Sequence, residues 1–153
     1  MQNRCADAID KVNSMDAAMP RSAPPWVKQV WRLFKADVLY VSKKQGIARQ
    51  VAGSTISEIQ LDPSDLAFAG MLARWWTITG EADAQRDALL ALIGRLDDLD
   101  LLDQVEVLAA CGQAGIGDVY LDEAKRRLAW LPSAVRVQLT YLGLLSPSRA
   151  EVA

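Results

Sequence analysis

The chain has 153 residues, 51% of them hydrophobic and 24% charged, with a formal net charge of −2. That is enough chain to bury a core without disulfides or metal, and it has the balance of a globule rather than a disordered tail. No apolar run approaches the roughly 18 residues a membrane span needs, and no histidine is present to serve as general base or metal ligand. One helical domain is expected over residues 1–153, an all-α compact bundle of about six helices arranged as helical hairpins. The first residues carry Arg4 and Asp7 without a following apolar stretch, so no secretory signal is expected and the chain is assigned to the cytoplasm.

Arg4 to Met19 reads as a short helix with Ile9, Val12 and Met15 as a sparse apolar stripe, prone to fraying. Residues 20–25 form a Pro-rich connector, and Pro25 suits the first turn of the next helix. From Trp26 to about Lys44, Val27, Val30, Trp31, Phe34, Val38 and Val41 recur at three and four. This pattern places them on one face of an amphipathic helix that ends near Lys44 or continues with a kink to Ala52. Residues 54–61 fit a loop or a short strand.

Asp62-Pro63-Ser64-Asp65 is a helix start, with a capping side chain, a proline at the first helical position and a first-turn carboxylate. The helix it opens runs to Thr79 and stops at Gly80. Its apolar residues cover most of the circumference and leave mainly Gly70, Arg74 and Thr77 for water, so Trp75 and Trp76 belong in the core.

Further helices are expected over Glu81 to Leu96, Asp100 to Ala110 and Asp118 to Leu131, with Gly112, Gly115 and Gly117 breaking the chain between the last two. Residues 133–145 alternate like a strand but also fit a helix through Val135, Leu139, Leu142 and Leu145, and the helical neighbours favour helix.

Leu72-Ala73-Arg74-Trp75-Trp76, followed by Gly80-Glu81 and Ala84, resembles the helix, turn and helix of a tetratricopeptide unit. Val107 to Cys111, followed by Gly115 and Asp122-Glu123-Ala124, has the same form, and the two glycines lie 35 residues apart. The wide loop at residues 112–117 and the early Pro132 depart from that pattern, and any αα-hairpin gives similar spacing. The resemblance implies a scaffold that binds other proteins.

Tested for chemistry, the motifs fall short. Cys5 and Cys111 lie far apart, without a paired spacing for zinc or redox work, and read as a thiol near the N-terminus and a small buried hydrophobe. Asp97, Asp98, Asp100 and Asp103 form an acidic patch, but the run lacks the glycine and final glutamate of a calcium loop and sits where a helix favours carboxylates. Residues 112–117 lack the strand and lysine of a phosphate-binding loop. Residues 45–56 resemble a helix-turn-helix only loosely, with a misplaced glycine and Glu58 where an apolar residue belongs. No cofactor, no metal and no enzymatic activity are expected.

Charge distribution says more. Residues 21–49 hold seven basic residues against Asp37 alone, and residues 81–106 hold eight acidic residues against Arg86 and Arg95. Lys28, Arg32 and Lys35 share a helix face flanked by Trp26 and Trp31, with Lys43 and Lys44 following. This is either a solvated basic edge or a docking surface for an acidic partner. The expected function is therefore a non-enzymatic, protein-binding adaptor or inhibitor, with a homodimer as one form of association. Small, motif-free, charge-segregated helical proteins of bacteria and phages include inhibitors of host defence complexes of the anti-CRISPR type. The alternative is a nucleic-acid-binding regulator using segment 21–49, disfavoured by a sequence pI of about 5.1.

Overall fold

The computed structural model describes residues 2–57 and 66–141, and every element among them is helical. The α-helices are α1 (Gln2–Ala18), α2 (Pro25–Val41), α3 (Gln45–Ile56), α4 (Ala69–Thr79), α5 (Arg86–Ile93), α6 (Leu101–Gln113), α7 (Asp118–Leu128) and α8 (Ser133–Tyr141). Short 3-10 turns at Leu66–Phe68, Asp83–Gln85 and Leu96–Asp98 join them. The all-α expectation holds. The count exceeds about six chiefly because a separate helix, α3, follows α2. The helix start at Asp62 to Asp65 lies outside the described residues, as do residues 58–61 and 142–145; residues 54–56 and 133–141 are helical.

The chain divides into two compact units, Met1–Gln60 and Leu61–Ala153. In the first, α2 packs mainly on α3, with α1 against α2. Pro25 occupies the start of α2, where a missing N–H breaks no helical bond. At the other end Lys43 adopts the left-handed conformation, φ 66°. The Lys44 N–H then donates to the Leu39 carbonyl at 2.9 Å and the Lys43 N–H to Tyr40 at 3.1 Å, which closes the helix.

In the second unit α6 is the hub, packing on α4, α5 and α7. The strongest pairings are α4 with α6 and α6 with α7, whereas a tetratricopeptide-like hairpin would pair α4 closely with α5. Gly80 and Gly115, at φ 78° and 69°, end α4 and α6 with the same closing bonds that Lys43 makes for α2. Trp75, Trp76, Leu72, Leu89, Leu92, Val105 and Leu108 form the core, so both tryptophans are buried as their apolar helix demands. Cys111 is buried as well.

Two glycines do not act as the sequence suggests. Gly112 was expected to break the chain, yet α6 runs through it to Gln113. A Cβ there would lie 2.6 Å from Leu121 Cβ and 3.1 Å from Leu121 Cα, so the missing side chain lets α6 and α7 touch backbone to backbone. Gly70 and Arg74 were expected to face water, and both are buried against α6.

Candidate functional site

In the second unit, Arg74 reaches from α4 to α6 and places Nη1 2.7 Å from Glu106 Oε1, both side chains being nearly inaccessible. A charge pair this dry depends on close geometry, because burial takes from both partners the water that would otherwise balance their charge. Gly70, one helical turn before Arg74, makes the approach possible. A Cβ at position 70 would sit 2.6 Å from Glu106 Oε2 and 2.7 Å from Asp103 Cγ, so two carboxylates converge on the bare backbone of α4. Burial pushes the Asp103 carboxyl up to about 6, helped by the negative charge of Asp100 and opposed by Arg74.

The acidic patch therefore separates into parts with different work. Asp100 caps α6, its Oδ1 accepting the Asp103 N–H at 3.0 Å. Asp98 pairs with Arg95 at 3.3 Å, Asp97 is exposed, and Asp103 turns inward toward Gly70. Among the described residues no group of three or more Cys, Asp or Glu side chains could hold a metal ion. The buried pair has no exposed face to offer a substrate, and its place is that of a strut between α4 and α6. A second tie lies at the far side of α6: Arg127 donates to Glu123 at 3.0 Å and to Gln104, and Gln104 donates to the Leu99 carbonyl at 2.9 Å.

In the first unit, the predicted basic and aromatic residues come together on α2 and the turn after it, though not all face solvent. Lys35 pairs with Asp16 of α1 at 2.9 Å, and Trp31 Nε1 donates to the same carboxylate at 3.3 Å. The Lys35 hydrogen bond and charge, with Trp31 adding its own bond, hold the Asp16 carboxyl below the usual aspartate range. Lys28 donates to the Arg21 carbonyl at 2.9 Å. Trp26 is 56% exposed, and Arg32, Lys43 and Lys44 are exposed.

The larger departure concerns the apolar stripe. Val27, Val30, Trp31, Phe34, Val38 and Val41 form a regular helical face, but none of them is buried. Phe34 is 45% and Val41 38% exposed, and the Trp31 and Phe34 rings lie 5.4 Å apart in a tilted pair. What α2 buries is a second stripe, Leu33, Ala36, Asp37 and Tyr40 with Leu39 beside it. These four recur at three, four and seven, and all but Asp37 are apolar, so the sequence carries two largely apolar faces on one helix. The competing face at Leu33 was the available signal for an uncovered stripe, and sequence reasoning passed over it. Ile47, at the start of α3, adds a further exposed apolar residue.

Comparison of the chain with protein families, curated proteins and solved structures found no match. No helix among the described residues is long and apolar enough to cross a membrane.

Proposed function

We propose that this protein is a non-enzymatic adaptor or inhibitor that acts by binding another protein through the partly exposed apolar face of α2. The observation that carries the reading is that the stripe is only partly covered: Phe34 and Val41 are exposed, as is Trp26 at the start of the helix, while Val27, Val30 and Val38 are partly buried. A small globule gains by burying its regular apolar faces, and one left partly outside is a candidate interaction site. Aromatic residues beside basic ones are also the composition favoured at the energetic centre of protein interfaces. An inhibitor of the anti-CRISPR type belongs within this class. It differs from an adaptor only in that the partner's own activity falls on binding.

The test is affinity capture from a bacterial lysate with the full chain and with Trp26→Ala/Phe34→Ala. A protein recovered by the wild type and lost with the variant supports the reading. Equal recovery by both, or recovery of nucleic acid alone that salt abolishes, overturns it. The second result would move the assignment to a nucleic-acid-binding regulator.

A further inference from the structure

We infer that α1 is a releasable arm, held on α2 by the Asp16 carboxylate, and that its release uncovers Trp31 and Lys35. That the uncovered patch belongs to a binding surface rests on the protein-binding reading above; the release itself does not.

The first argument is burial. Among the described side chains of α1 only Val12 is buried, with Cys5, Ala8 and Ile9 half-buried and the rest exposed. Those four lie along one narrow side of the helix, so α1 rests on the first unit by an edge rather than packing a broad face into it. By contrast, α2 and α3 bury Leu33, Leu39, Tyr40, Ala48, Ala52 and Ile56. A helix of 17 residues with so little cover is marginal once it leaves its support, so release and unwinding of α1 go together.

The second argument is where the latch sits. Asp16 lies in the last turn of α1, where the helix dipole disfavours a carboxylate and no basic residue of that turn offsets it. The offset comes from α2: Lys35 Nζ lies 2.9 Å away, Trp31 Nε1 donates at 3.3 Å, and the charge of Arg32 adds attraction. Asp16 therefore weakens α1 as a free helix and stabilises it only when docked. With the Asp16 side chain 44% exposed, water and salt reach the latch, and a contact of this kind opens readily. The pivot lies just beyond the arm, where Lys28 of α2 donates to the Arg21 carbonyl at 2.9 Å and ties the connector to α2.

Hydrogen exchange of the full chain, followed by mass spectrometry, tests this. The amides of α1 should exchange together, about tenfold or more faster than those of α2 and α3. Asp16→Ala is the informative variant, because alanine is the better helix former and removes the charge that opposes the dipole. Were α1 held by its own propensity, this change would slow its exchange. With the latch lost, exchange of α1 should instead rise about threefold to tenfold while α2 and α3 stay unchanged. Asp10→Ala, at an exposed carboxylate of the same helix, should show no rise. Acylation of Lys35 by a succinimidyl ester, referred to the exposed Lys43, should increase by a similar factor in Asp16→Ala. Exchange of α1 in step with α2 and α3, or an Asp16→Ala that destabilises all three helices alike, makes α1 an integral part of the first unit and overturns the inference. Exchange of α1 that Asp16→Ala leaves unchanged or slows overturns it too, as does a rise without greater Lys35 reactivity. None of these outcomes alters what the full chain captures from a lysate, so the protein-binding reading stands or falls separately.

Discussion

Arg74 on α4 and Glu106 on α6 are 32 residues apart in sequence and 2.7 Å apart in space, both buried within the second unit. Removing one partner leaves the other buried with its principal charge partner gone. Glu106→Ala should cost about 3 to 5 kcal/mol. The double replacement Arg74→Met/Glu106→Met removes both charges and keeps apolar volume, so it should cost less than the single change. Urea denaturation of the two variants beside wild type checks this. A double variant less stable than Glu106→Ala would show that the pair is more than a neutralised strut.

Asp103 gives the second unit a stability that depends on pH. Its carboxyl titrates near 6 in the fold against an ordinary value of 3.8, so between these values the folded state holds the proton more tightly than the unfolded chain. This contribution is fully present below about pH 4 and is lost as the pH rises through about 6. Discounted for partial exposure, it amounts to about 1 to 2 kcal/mol. Asp103→Asn should therefore be more stable than wild type by about that amount at pH 8 and indistinguishable from it at pH 3.5. Denaturation midpoints across that range give the comparison, and an equal offset at every pH would exclude Asp103 as the titrating group.

Gly112 and Gly53 should respond to alanine in opposite directions. At Gly112 the added methyl meets Leu121, including its Cα, so α6 and α7 must separate, at about 1 to 3 kcal/mol. At Gly53, inside α3, a Cβ has nothing within 4 Å. Alanine there should stabilise by about 0.5 to 1 kcal/mol, because glycine is the poorer helix former. Thermal unfolding of the two single variants separates the cases.

Lys43 stands where the ends of α4 and α6 have glycine, and a side chain in the left-handed region is strained. Lys43→Gly should raise stability by about 0.5 to 1 kcal/mol, the relief being partly offset by the greater freedom of glycine in the unfolded chain. An unchanged or lower melting temperature would contradict this.

Lys43 also explains what was and was not legible in the sequence. The end of α4 is plain because glycine fills its left-handed position at residue 80. The end of α2 is hidden because lysine fills the equivalent position, while Gly46 and Gly53, which look like breakers, lie within α3. The helical class, the α2 stripe and the burial of Trp75 and Trp76 follow from short-range spacing, and that spacing is visible. Periodicity alone leaves open which of two apolar faces on α2 packs inward, because the answer depends on α3. For the same reason, Arg74 on an apolar helix reads as a solvent position until Glu106 and the gap at Gly70 are brought beside it.

Cys111 lies within α6, the helix on which α4, α5 and α7 assemble, and burial pushes its thiol up to about 12. At neutral pH the reactive thiolate is thus withheld as long as the second unit stays closed. Cys5, in the first unit, is only partly covered. The chain therefore carries its own chemical clock: alkylation of Cys111 can advance only during openings of the second unit, so its rate measures how often that unit breathes while Cys5 marks the reagent's strength.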